Sequence, residues 1–189
     1  MSMKEAFDTF FEKMDRNSMK VRGKLPAVPL KEGALILPET CDDEGYSVWR
    51  PQLQTEPVSF ENIENELGFK IHPQLKEYLT TYWFRRLFSR NEIEGHAVYF
   101  GLNELLPGTD VDMWIRRMKS SDQTHYLRDH VYFLLATYCK VDKVDGYLVE
   151  FNNDTGEVTA VDVGAHISIK LADSIEDLLK TMKGQWKEK

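Results

Sequence analysis

Residues 131–171 carry four strand signals in close succession, and this restricts the fold of the chain more than any other feature. The run VYFLLATYC at 131–139 is nearly continuously apolar, as expected of a central strand buried on both faces. The segments YLVEF at 147–151 and VTAVDV at 158–163 flank NNDTG at 152–156, a short glycine-containing loop that signals a hairpin. A further strand or extended edge reads at 167–171. Strands joined by loops this short run antiparallel, because a parallel pair needs a crossover of about a dozen residues.

Upstream, Phe7, Phe10, Phe11 and Met14 recur at helical spacing within 3–19, which predicts an amphipathic helix. Gly23, Pro26 and Pro29 then predict a loop, since proline fixes φ and removes a donor. Short apolar runs at 34–37 and 46–50, split by the turn-rich 39–45, read as a hairpin. Pro51 ends its second strand or places it at a sheet edge. Ser59 is the expected N-cap of a short helix closed by Gly68. His72 and Pro73 open another, whose apolar residues Leu75, Tyr78, Leu79, Tyr82 and Trp83 lie three and four apart. Residues 82–95 read as a loop and 97–102 as a strand. Thr109 or Asp110 caps a helix bearing Val111, Trp114, Ile115 and Met118. Ser174 caps the last helix, with Ile175, Leu178, Leu179 and Met182 facing inward. Strands and helices do not alternate regularly, which disfavours a doubly wound fold. The expectation is a single α+β domain over 1–189, with a mostly antiparallel central sheet flanked by helices.

Charge is the second constraint. The chain holds 24 Lys and Arg against 31 Asp and Glu, a net −7 over 189 residues. Residues 39–66 contain eight carboxylates (Glu39, Asp42, Asp43, Glu44, Glu56, Glu61, Glu64 and Glu66) and one cation, Arg50, so that stretch alone is −7. Residues 142–162 contain six (Asp142, Asp145, Glu150, Asp154, Glu157 and Asp162) against Lys143, which makes −5. Segregated charge makes a directed field that attracts and orients an oppositely charged partner. If the two runs fold onto one face, that face suits a basic peptide or loop. The other reading is that these acids only keep the protein soluble. Glu61 and Glu64 are three apart and share a helix side. With Glu66, Asp142 and Asp145 they are the carboxylates expected to form the face; a solvated helix surface is the alternative. The acidic balance argues against nucleic acid, whose phosphates require a positive surface. No apolar run approaches a membrane span of about 20 residues. The N-terminus lacks the apolar core of a secretory signal, so a cytosolic location is expected.

The sequence lacks the spacings that carry catalysis or metal binding. His72, His96, His125, His130 and His166 make no HExxH and no i,i+4 ligand pair. His72 reads instead as a helix N-cap or turn residue. Cys41 and Cys139 form no CxxC and read as free thiols, with Cys139 buried in its apolar run. No phosphate loop and no GxSxG elbow is present. The DKVDG at 142–146 lacks the third ligand and closing Glu of a calcium loop. The expectation is no enzyme, no cofactor and no metal. Trp186, among Lys183, Lys187 and Lys189, either packs over the last helix or lets a basic tail touch a surface.

Three segments resemble the SecY-interacting Syd family. YSVWRPQ at 46–52 is similar to its aromatic-Trp-x-Pro-Gln segment, and NIENELGFKIHPQLKEYLTTYW at 62–83 to its helix–Pro–helix segment. NNDTGEVTAVDVGAHISIKLADSIEDLLKTM at 152–182 is similar to its C-terminal hairpin, edge and closing helix. The LGxxxxPxxxxxxL pattern extends across the wider SUKH superfamily, which includes toxin-immunity proteins. The resemblance implies an α+β domain with an acidic concave face. It also implies a non-catalytic cytosolic protein that docks peripherally on basic cytoplasmic loops of the SecY translocation channel, possible monitoring of its assembly included. Basic cytoplasmic loops are usual for membrane proteins. An immunity protein that neutralises a toxin is the alternative. Trp49, Pro51 and Gln52 are the matching signature; Trp49 and Gln52 join the candidate partner-binding residues, against the reading that they fix a buried strand end. Arg85, Arg86 and Arg90 make 82–95 more basic than the family implies.

Overall fold

Ser2 starts the longest helix, α1 (Met3–Arg22). Its hydroxyl accepts the Glu5 amide at 3.3 Å, and the Glu5 carboxylate accepts the Ser2 amide at 2.9 Å. This reciprocal pair satisfies two of the donors that every helix start leaves open. One stripe of α1 (Met3, Ala6, Phe7, Phe10, Phe11, Met14 and Ser18) is buried, and Gly23, at φ 68°, ends the helix. A computed structural model describes residues 2–119, 130–162 and 164–184 of the chain.

The centre is a six-stranded antiparallel meander: β5 (Leu87–Ile93), β6 (His96–Leu102), β7 (Tyr132–Val141), β8 (Val144–Asn152), β9 (Val158–Asp162) and β10 (Ile167–Ala172), each paired with the next. Two short ladders lie apart from it. β1 (Ala27–Pro29) pairs with β2 (Tyr46–Val48), and β3 (Gln52–Leu53) with β4 (Tyr82–Trp83). The α-helices are completed by α2 (Glu61–Leu67), α3 (Pro73–Thr81), α4 (Val111–Met118) and α5 (Ile175–Thr181), and two short 3-10 turns lie at Leu30–Glu32 and Pro38–Thr40. α1 packs on α3 and α5, and α4 packs on β7. The result is α+β with a largely antiparallel sheet, as expected.

The caps explain several boundaries. Asp110 accepts the Met113 amide at 3.0 Å, and Ser174 accepts the Asp177 amide at 3.0 Å. His72 Nδ1 accepts the Gln74 amide at 3.2 Å, ahead of Pro73 at the first helical position. Asn153 then ties this junction to the β8–β9 turn. Its side chain accepts the His72 amide and donates to the Lys70 carbonyl, both at 2.9 Å.

Four local expectations need correction. Residues 82–95 are not a loop, because Leu87–Ile93 pairs along its whole length with β6 through a two-residue turn at Glu94 and Gly95. Two inward positions of that strand are polar, which breaks the apolar alternation. Ser89 and Asn91 are buried and bonded to each other at 2.7 Å. Residues 34–37 form a single bridge, Ile36 to Trp49, and the full partner of β2 is the 27–29 stretch read as loop. Helix α3 stops at Thr81. Thr80 and Thr81 turn their hydroxyls back onto the carbonyls of Lys76 and Glu77, and Tyr82 and Trp83 pair with β3. Ser59 lies one residue before the N-cap of α2, which is Phe60. Trp186 and His125 lie outside the described residues.

The core is one continuous cluster. Phe7 is its junction, with ring centroids 5.6 Å from Phe11, Tyr78 and Tyr82 and 5.3 Å from Phe84. Gly184 (φ 61°) presses the exit from α5 onto α1, where a Cβ would stand 2.7 Å from the Met14 Cα. Phe7→Ala should cost about 3–5 kcal/mol, read as a fall in urea midpoint. Tyr78 is fully buried, and its hydroxyl has no partner among the described residues. Tyr78→Phe should therefore hold or raise Tm, whereas loss of more than about 1 kcal/mol would reveal a hydrogen bond at that oxygen.

Candidate partner-binding surface

The acidic segment 39–66 divides into carboxylates that are used internally and carboxylates that are not. Glu64 is used most fully. It faces inward from α2 at 6% exposure, with Oε2 2.8 Å from Lys70 Nζ and Oε1 2.5 Å from Lys76 Nζ. Oε1 also accepts the Ile71 amide at 3.0 Å. The Lys70 bond first, then Lys76 and the amide, hold its pKa down to about 2 against the opposing effect of burial. Glu64 therefore closes the linker between α2 and α3. Glu61 is exposed, so the two do not share a solvent face as their spacing suggests.

Glu66 is exposed but takes a bidentate fork from Arg116 of α4, at 2.9 and 2.6 Å, which holds its carboxyl below the usual range. Asp42 accepts the amides of Tyr46 and Glu44 and pairs with Lys24 at 3.0 Å. The Tyr46 bond leads in lowering its pKa. Five carboxylates of the segment make no ion pair among the described residues: Glu39, Asp43, Glu44, Glu56 and Glu61, all exposed. Leu30 and Tyr46, each 39% exposed, lie beside the first three, since the Leu30 amide bonds to the Gly45 carbonyl and Tyr46 pairs with Pro29.

The second acidic run is divided by β8. Asp142 and Lys143 form the two-residue β7–β8 turn at positive φ. Asp142 bonds His96 Nδ1 at 2.7 Å and the Ala97 amide at 2.9 Å, and these two contacts, His96 first, lower its pKa. Asp145 lies 3.3 Å from Lys140. Asp154 pairs with His130, and Glu157 with Lys170, at the other end of the strand. That end also receives the α2–α3 linker through Asn153. The length of β8 is about 26 Å at 3.3 Å per residue. The structure thus keeps Asp142 and Asp145 away from Glu64 and Glu66, whereas Asp154 and Glu157 lie at the end of β8 that the α2–α3 linker reaches, so only part of the second run approaches the first.

Trp49 is fully buried at the end of β2, which fits the strand-end reading, whereas Gln52 is exposed in β3. The apolar neighbours Leu30 and Tyr46 have no signal in the sequence, because only the fold sets them beside the acidic loop. Among the described residues no group of His, Cys, Asp and Glu could hold a metal, and no helix is long and apolar enough to cross a membrane.

The depressed pKa of Glu64 has a definite sign. Its stabilisation is present above the ordinary value of 4.5 and fades as pH falls towards 2. Glu64→Gln should cost about 2 kcal/mol at neutral pH, which is a fall of about 4–8 °C in Tm. The deficit should shrink on acidification from pH 4.5 to 2. A pH-independent deficit would assign the role of Glu64 to packing alone.

A family model described as Syd protein (SUKH-2) matches residues 4–98. The chain is also similar to Protein Syd of Colwellia psychrerythraea (strain 34H), 25% identical over 195 residues, covering 96% of this chain and 92% of the relative. Protein Syd of Alteromonas mediterranea is 24% identical over 144 residues, covering 76% of each. The matched region begins in α1 and runs through the helix pair closed by Glu64 to β6, the residues whose contacts organise the acidic surface. The chain belongs to the Syd protein family.

Proposed function

We propose that this protein is a non-catalytic binding module that docks on basic cytoplasmic loops of the SecY translocation channel. The docking surface is the acidic loop at 39–44, with Glu56 and Glu61 adding to the field. The observation that carries the reading is the set of five exposed carboxylates that make no ion pair among the described residues, in the segment that bears the chain's whole excess charge. Carboxylates already paired, such as Glu64 and Glu66, would first have to release lysine or arginine, so they contribute little attraction. Glu39, Asp43 and Glu44 are free to accept from Lys or Arg. Leu30 and Tyr46 supply the short-range apolar contact that follows electrostatic encounter. On this reading Asp142 and Asp145, at the far end of β8, are turn residues rather than contacts. Peripheral residence on the cytoplasmic side of the inner membrane follows from the partner, as does a part in watching over the channel's assembly.

Retention on SecY-containing membranes should fall steeply as ionic strength rises, because exposed charges are screened over about 10 Å at 0.1 M salt. The triple variant Glu39→Lys, Asp43→Lys, Glu44→Lys should lose retention at least about tenfold, by quantitative pull-down, with Tm unchanged. Salt-insensitive retention, or full retention by the variant, would overturn the assignment.

A further inference from the structure

The last turn of α1 extends past the body it packs on. Its buried stripe passes through Phe10, Met14 and Ser18, and the next position in that register is Val21, which is 70% exposed. Met19, two residues earlier and so on the other side of the same turn, is 48% exposed. Hydrophobic side chains are thus exposed on both sides of the last turn of the helix.

Cations surround that turn. Arg16, Lys20 and Arg22 are exposed and make no ion pair among the described residues, and neither does Lys183, which follows α5. A cleft of about 450 Å³ opens between the C-terminal ends of α1 and α5, lined by Lys13, Asn17, Lys20, Val21 and Lys183 among others. Both helix ends direct carbonyls towards it, which would repel an anion. On the α5 side Lys13 and Asn17 cover them, donating to the carbonyls of Lys180 and Lys183, and at the end of α1 the Met19 carbonyl takes the Gly23 amide. The ammonium groups of Lys20 and Lys183 stay available. Lys20 and Arg22 also complement the α1 macrodipole, but that role gives no reason for exposed Met19 and Val21 next to them.

We infer that this pole is a docking site for an anionic lipid surface. Lys20 and Lys183 take a headgroup phosphate at the cleft, and Met19 and Val21 enter the boundary of the acyl region. Long lysine stems lie along apolar surface while their charges reach the headgroups. Charge complementarity selects an anionic partner, and exposed apolar side chains on both sides of the helix end select a bilayer over free phosphate. The site goes beyond the SecY reading and does not depend on it, because it requires no protein partner.

The test is sedimentation of the full chain with protein-free vesicles at low salt. Vesicles of phosphatidylcholine with a third phosphatidylglycerol should bind the chain, and vesicles of phosphatidylcholine alone should not. The double variant Lys20→Glu, Lys183→Glu should lose about thirtyfold or more in partition coefficient, since each basic group near such a surface contributes roughly a decade or somewhat less. Val21→Asp should weaken binding severalfold while leaving Tm unchanged. Millimolar inorganic phosphate should not compete. Absence of binding to anionic vesicles, equal binding to both vesicle types, or full binding by the double variant would overturn the site. Competition by phosphate would assign the cleft to a small anion instead. Binding to polyglutamate as strong as to vesicles, unaffected by Val21→Asp, would assign it to an acidic protein. Either result also overturns the lipid proposal.

Discussion

The Phe7 ring is where the helical layer and the sheet are joined. It stacks on Tyr78 of α3, packs against Phe84 at the approach to β5, and meets Tyr82 edge-on, while Tyr82 donates to Asp8 one residue along α1 at 2.6 Å. Aromatic pairs at these separations contribute beyond their buried area. Together they fix α1 by its N-terminal half. The rest of the helix follows as a rigid rod, since 20 residues at 1.5 Å each span about 30 Å. That rod is longer than the surface beneath it. The exposure of Met19 and Val21 is therefore a consequence of anchoring near residue 7, and the cleft against α5 lies where the two helices end together.

Much of this architecture is legible in the sequence because it rests on local signals. Strands β7 to β10 and the β8–β9 turn, the caps at Asp110 and Ser174, and the proline start of α3 all involve residues within a few positions of one another. β5 is not legible, because its inward face is built with a Ser89–Asn91 pair in place of aliphatic residues. The Ser89 hydroxyl also accepts the Lys183 amide at 2.9 Å, 94 residues away, so the partner that justifies a buried serine is invisible locally. The pairing of 27–29 with β2 is hidden in a similar way. Gly23, Pro26 and Pro29 argue for a loop, and only the opposing strand 46–48 makes the segment extended.

Charge follows the same division. The excess of acids in 39–66 is plain in the sequence, but its availability is not. Glu64 is matched by Lys70 and Lys76, six and twelve residues on, and Glu66 by Arg116, fifty residues on. Helical spacing placed Glu61 and Glu64 together, yet the packing of α2 turned one outward and one inward. A formal count of −7 becomes a working set of five carboxylates once the internal pairs are removed, and three of these lie on one loop.

The acidic loop and the basic pole are neighbours. Lys24, two residues beyond α1, pairs with Asp42 at 3.0 Å, and Ser18 holds the Lys24 carbonyl at 2.7 Å, so the 39–44 loop starts where the α1 overhang begins. The Lys24–Asp42 pair marks the boundary between a negative surface and a positive one. Two surfaces of opposite sign side by side suit a setting where both kinds of partner stand together. Basic protein loops emerging from an anionic bilayer are such a setting, because positive-inside segments and acidic headgroups share the cytoplasmic interface. A chain approaching with α1 foremost would place Lys20 and Lys183 over headgroups and Glu39, Asp43 and Glu44 within reach of the loops. Reversed orientation would set carboxylates against lipid phosphate and lysines against basic loops, so the dipole selects one approach. On the two proposals together, a lipid contact would reduce the orientational search for the protein contact and so raise the rate of encounter without requiring either interaction to be strong.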